Sequence, residues 1–188
     1  MKDYETKEAI PVLVNADHPY QDKKDKKLVT YPGTDILLEE ETAKMLYALL
    51  RTLPRGEIVL VSGYRSFEEQ EQIWKDSVAE NGLEFTKKYV AKPGCSEHQT
   101  GLAVDLGLNA ENIDFIRPAF PYEGVCQTFR KRAAAYGFIE RYQKDKEAVT
   151  KIAAEQWHFR YVGAAHARAI CEKHMALEEY IDWLGGLA

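Results

Sequence analysis

Cysteine is scarce in this sequence. The three residues Cys95, Cys126 and Cys171 are an odd number and too few to staple a secreted scaffold, so reduced thiols in a cytoplasm are the expectation. Long apolar runs are missing too. Nowhere do about eighteen uncharged apolar residues follow one another, and Met1 to Glu8 contain no apolar signal core; with Met1 as the natural start, a soluble, unexported protein is expected. Positive charge is not in excess: 25 Lys and Arg stand against 30 Asp and Glu, a formal net charge of -5. Without a broad basic surface, nucleic acid and anionic membranes are excluded as expected partners, and a small polar ligand is favoured. Internal repeats and low-complexity segments are also absent.

What is there is enough for one core. At 188 residues and 45% apolar, the chain reads as a single domain, 1–188, with an irregular arm over 1–34 carrying Pro11, Pro19 and Pro32. Within the arm, the run from Asp22 to Lys27 reads as a solvated face, and Ile10 to Val14 and Leu28 to Tyr31 offer one or two short strands. Apolar residues at helical spacing predict a core helix over 39–53, stopped by Pro54 and Gly56. Ile58 to Val61 reads as a buried strand. Ser66 and Glu69 have the spacing of a capping box, which predicts a helix from Phe67 to about Glu80 with Ile73, Trp74 and Val78 inward. A short helical turn over 83–90 comes next.

Leu102, Val104 and Leu106 alternate with Ala103, Asp105 and Gly107, so a strand here sends Asp105 to the face opposite the leucines, between small neighbours that leave room for an ion. Residues 109–121 read as loop, 124–136 as a helix, 138–142 as a strand and 143–150 as a charged connection. Trp157, Phe159 and Tyr161 alternate with His158, Arg160 and Val162 in another strand, and helices over 164–174 and 177–184 close the chain. Strands and helices do not alternate as in a doubly wound sheet. The expected fold class is α+β, a small, mainly antiparallel sheet with flanking helices.

Two imidazoles and a carboxylate, His98, Asp105 and His158, are suited to Zn²⁺ and leave a coordination position for water. Glu155, three residues before His158, is a candidate general base. Positions three apart on an ideal strand point to opposite faces, so Glu155 is expected on the loop before that strand. Arg65, between a strand and a helix start, is a candidate to stabilise an oxyanion or to grip a substrate carboxylate. Ser66 reads as a helix cap. Cys95 is a competitor, either as a ligand in Cys-x-x-His or as a thiol nucleophile. His166 and His174 fall two helical turns apart with no third ligand, and both read as structural or surface residues.

Gly63-Tyr64-Arg65-Ser66, Ser96-x-His98-x-x-Gly101-x-Ala103-x-Asp105 and Glu155-x-Trp157-His158 resemble, in order, the signatures of the D-alanyl-D-alanine metallopeptidases, whose fold is shared with lysostaphin-type peptidases and hedgehog domains. The resemblance covers roughly residues 35–185. Pro93 to Gln99, Gly101 to Asp105 and Trp157 to Gly163 look most like the VanXY group of combined D,D-dipeptidase/D,D-carboxypeptidases. It implies zinc on His98, Asp105 and His158, Glu155 as catalytic base, Arg65 at the oxyanion and Ser96 at the substrate terminus, with Cys95 outside the metal shell. The implied substrates are small peptides ending in D-Ala-D-Ala, whose removal supports glycopeptide resistance. An L,D-carboxypeptidase acting on tetrapeptide stems and a non-catalytic zinc-stabilised module remain alternatives.

Overall fold

The alternation read in residues 102–106 is a strand, and it lies inside the sheet. In the computed structural model, which describes residues 9–21 and 26–186, β3 (Ile58–Ser62), β4 (Ala103–Leu108), β6 (Glu155–Tyr161) and β5 (Phe138–Tyr142) form a four-stranded antiparallel sheet in that order. The central pair β4 and β6 is what the site is built on. A two-stranded ribbon, β1 (Leu28–Thr30) with β2 (Leu37–Glu39), forms a separate sheet, and Leu37 O accepts from Tyr64 N just past β3 at 2.7 Å. Residues 1–8 and 22–25, and with them most of the charged run, lie outside the described residues.

Successive residues of β5 enter different cores, as strand alternation requires. Phe138 joins Leu46 and Leu49 of α1 (Glu40–Leu50), Val104 and Leu106 of β4, and Phe129 of α4 (Gly124–Ala133). Phe120, Phe129 and Phe159 meet there edge to face, with ring centroids 4.8–5.6 Å apart. Ile139 instead packs with Ala167 and Ile170 of α6 (Ala164–Lys173) and Leu177 and Tyr180 of α7 (Leu177–Gly185).

Several boundaries differ from the sequence reading. The first helix starts one residue late because Glu39 caps it, its carboxylate accepting from Thr42 N. Ile10 to Val14 forms no strand, although Val14 is buried. The connection after β5 holds a 3-10 turn, Lys144–Lys146, and a short helix, here α5 (Glu147–Thr150). Lys26 is not simply solvated: its ammonium donates to Gln99 O at 3.0 Å and stands 4.7 Å from the Tyr64 ring centroid.

The helix after Ser66 is α2 (Phe67–Asn81), followed by α3 (Leu83–Tyr89), and the predicted capping box is present in full. Its inward face is not the predicted one. Ile73 is 38% exposed, Trp74 and Val78 are half-buried, and the buried residue of α2 is Gln70. The helix packs on α3 and the site's margin rather than on the sheet, and the polar Gln70 turns inward because it has polar work to do there.

Candidate metal centre

His98 sits on a one-turn 3-10 segment, Glu97–Thr100, ended by Gly101 in the left-handed region at φ 75°. A side chain at Gly101 would be strained by that φ and would bring its Cβ to 3.0 Å from Glu39 N. Leu102 N then takes up the Thr100 hydroxyl at 2.9 Å as the chain turns into β4. Gly63 lies opposite, at the end of β3. A Cβ there would stand 2.5 Å from Leu37 O, and this close approach lets the Gly63 carbonyl accept from His98 Nδ1 at 2.6 Å.

Asp105 and His158 are fixed differently. They are direct register partners on β4 and β6, so the antiparallel ladder itself brings their side chains to one face. Asp105 Oδ2 is 3.1 Å from His98 Nε2, and Asp105 Oδ1 is 3.0 Å from His158 Nδ1. The two imidazoles meet edge-on, with centroids 5.0 Å apart. One ligand atom from each of the three residues lies within 4.8 Å of the others, and all three residues are buried.

His98 Nδ1–H donates to Gly63 O, which leaves Nε2 as a lone pair facing Asp105 Oδ2. His158 stands between two carboxylates, Nε2 toward Glu97 Oε2 at 3.3 Å and Nδ1 toward Asp105 Oδ1 at 3.0 Å, so the buried cluster needs positive charge, supplied by a proton on His158 or by a bound cation that takes its place. Burial holds His98 below its ordinary value, whereas at His158 burial is outweighed by hydrogen bonds to Asp105 and Glu97, which push it up to about 9. Burial of Asp105 is likewise outweighed by the histidines, which hold its carboxyl well below the usual range. Two histidines and one carboxylate with their far nitrogens already bonded make a donor set that fits zinc.

Glu155 is the first residue of β6, not a loop residue as expected. The two bulged places in the sheet explain how it still reaches the site. Glu140 pairs with Phe159 but Tyr142 pairs with Glu155, so Arg141 alone stands opposite Gln156, Trp157 and His158. The distortion brings Glu155 Oε2 to 3.8 Å from His158 Nδ1. Burial pushes Glu155 up to about 7, with His158 and Arg65 opposing and Asp105 and Glu97 adding to the shift. In β3, Leu60 pairs with Leu106 and Ser62 with Asp105, leaving Val61 as an extra residue at the same end of the sheet.

Ser62 and Gln70 hold Arg65. Nη2 donates to Ser62 Oγ at 3.1 Å and Nη1 to Gln70 Oε1 at 2.9 Å, while Gln70 Nε2 is itself anchored on Ala91 O. Arg65 N also donates to His98 O, which ties the guanidinium's loop to the histidine's. Ser96 is buried two residues before His98, and among the described residues no hydrogen bond joins its hydroxyl to the cluster. The predicted room beside Asp105 is not at Gly107, where an added Cβ would meet Val61 and Pro118 at 3.2 and 3.3 Å.

Other candidates fall away. Cys95 lines a neighbouring cleft of about 200 Å³ with Asn15, Trp74, Tyr142 and Ile152, and burial pushes its thiol up, away from the thiolate a nucleophile needs. His166 faces the Tyr180 hydroxyl and His174 faces Asp145, so the two do not share a site. Three charged residues escaped the sequence reading. Glu97, Arg141 and Arg160 have fully buried side chains, and both guanidinium groups donate to Glu97 Oε1, at 2.8 and 2.9 Å. A visible signal existed: alternation sets Arg160 on the same strand face as His158, and Arg141 on the same face as Ile139.

The sequence model of the VanY family, D-alanyl-D-alanine carboxypeptidase, matches residues 35–164. The chain belongs to this family. Its relatives include the bifunctional D-Ala-D-Ala dipeptidase and D-Ala-D-Ala carboxypeptidase VanXYC of Enterococcus gallinarum, 43% identical over 92% of this chain and 93% of that one. The crystal structure of the vancomycin resistance D,D-dipeptidase VanXYg with a D-Ala-D-Ala phosphinate analogue superposes with a TM-score of 0.89 at 49% identity, covering 92% of this chain and 70% of that one. A VanY D,D-pentapeptidase variant in complex with Zn(II) superposes with a TM-score of 0.73 at 29% identity, covering 90% and 97%. This VanY-family chain is thus a peptidase by kinship, and the expected α+β fold is the one found. Among its described residues no helix is long and apolar enough to cross a membrane.

Proposed function

We propose that this chain is a single-domain zinc peptidase that hydrolyses D-alanyl-D-alanine and removes the terminal D-Ala from peptidoglycan precursor pentapeptides, supporting vancomycin resistance. The observation that carries it is the convergence of His98 Nε2, the Asp105 carboxylate and His158 Nδ1 with Glu155 at their edge. His98, Asp105 and His158 would hold the metal. Zinc in that position supplies a Lewis acid for the scissile carbonyl and acidifies water. Glu155, raised toward neutrality by burial, takes the proton from the attacking water and delivers it to the leaving amine. Arg65, braced by Ser62 and Gln70, receives the substrate's negative charge, the carboxylate on binding and the oxyanion as it develops. Ser96, buried two residues before His98, would contact the substrate terminus. The three unpaired thiols fit work in a reducing cytoplasm, where such precursors are made before export.

Chelator-stripped protein should lose hydrolysis of D-alanyl-D-alanine and of the pentapeptide and regain both with Zn²⁺. Activity indifferent to chelation, or turnover of the tetrapeptide stem in place of these substrates, would overturn the reading.

A further inference from the structure

The charged cluster beneath His158 is unusual in its wiring. Glu97, Arg141 and Arg160 are sealed from solvent, with side-chain exposures of 0%. A carboxylate that only balanced charge would meet a guanidinium fork with both oxygens. Glu97 does not. Oε1 alone accepts from Arg141 Nε and from Arg160 Nη1, and Oε2 is turned to His158 Nε2 at 3.3 Å. Each arginine uses its remaining donors elsewhere: Arg141 forks onto Glu178 of α7 at 2.8 and 2.7 Å, and Arg160 donates to Val12 O and Tyr161 O. The second oxygen of Glu97 is thereby reserved for the imidazole.

The two histidines of the site differ for this reason. His98 is held from behind by a neutral carbonyl, that of Gly63, and His158 by a full carboxylate. A carboxylate behind a ligating imidazole fixes its tautomer and ring plane and makes its free nitrogen a stronger donor.

Resting on the metal site proposed above, we infer that Glu97 is a positioning residue: through its Oε2 it holds His158 with Nδ1 aimed at the metal, while Arg141 and Arg160 keep that carboxylate in place. Glu97 touches neither substrate nor reacting atoms in this reading and acts through His158.

The test compares full-length Glu97→Gln and Glu178→Gln with the parent. Zinc affinity is measured by competition with a chromophoric chelator, folding by circular dichroism and thermal unfolding, and kcat and KM on D-alanyl-D-alanine. Glu97→Gln should bind zinc about 10- to 100-fold more weakly and lose kcat with KM little changed. Glu178→Gln, which leaves the Glu97–His158 contact intact, should lower thermal stability and leave zinc affinity and kcat as in the parent. A folded Glu97→Gln with parental zinc affinity and kcat overturns the inference. If Glu97→Gln does not fold, ¹⁵N-imidazole spectra of the zinc-loaded parent decide. An exchange-protected, downfield Nε2–H on His158 supports the assignment, and a freely exchanging Nε2–H or a metal on Nε2 overturns it. A parent that binds no zinc refutes the proposed metal site itself, an outcome distinct from failure of Glu97 as its support.

Discussion

The site has two halves that are held by different means. Asp105, His158 and Glu155 come from neighbouring central strands, where ladder register sets which side chains meet. Arg65, Ser96 and His98 come from connections, where no ladder exists and single hydrogen bonds do the fixing: the His98 side chain on Gly63 O, the Arg65 side chain on Ser62 and Gln70, and the Arg65 backbone N–H on His98 O. In the function proposed above, the strand half would supply two metal donors and the proton carrier, and the loop half the third donor, His98, together with the residues assigned to the substrate, Arg65 and Ser96.

The sharpest way to break the strand half without unfolding it is Glu155→Gln. Loss of the proton carrier should lower kcat by about 10²- to 10⁴-fold while zinc content, read by metal analysis, stays at the parental level. The loop half should break more softly. Gln70→Ala removes one of the two groups that brace the Arg65 guanidinium, and steady-state kinetics should show kcat/KM down by about 10- to 100-fold, again with zinc retained.

Smaller still is the effect of loosening what lies behind the strand half. Arg141 holds the Glu178 carboxyl below its usual value, burial alone acting the other way. A folded-state value below the unfolded one, near 4.3, means that this stabilisation is present above about pH 4.3 and disappears as pH falls through the folded value. Glu178→Gln, which gives up the charged fork with Arg141, should cost about 2 kcal/mol at pH 7 in denaturant titrations, and variant and parent should converge in acid. Cys95→Ser should do least. With its thiol pushed up by burial and its place outside the metal cluster, kcat/KM is expected within about twofold of the parent.

Much of the strand half could be read from the chain alone. The alternation around Asp105 and around His158 identifies both strands and the face each side chain takes, and the capping box at Ser66 places the start of α2 to the residue. The bracing groups could not be read in this way. Gln70 is a helix polar residue of ordinary appearance, and its inward turn has meaning only once Arg65 and Ala91 are beside it. Glu97 finds Arg141 and Arg160 across 44 and 63 residues of chain. Periodicity gives the strand face of each arginine without saying that it is buried or what neutralises it, because partnership between buried charges is a tertiary property. Of the two ribbon strands, three residues each, β1 could be read from the apolar patch at Leu28 to Tyr31, whereas β2 carries no pattern of its own.

The distortion of β6 opposite Arg141 has a consequence for anyone transplanting this chemistry. Glu155 and His158, three residues apart, come within 3.8 Å of one another here because the strand is locally out of step with its neighbour. Grafted onto a flat, regular hairpin, the same four letters would put base and ligand on opposite sides of the sheet, and a scaffold search that matched side chains alone would select hosts that cannot react. The transferable unit is the motif together with its kink, so a designer would specify the backbone irregularity first and choose the residues second.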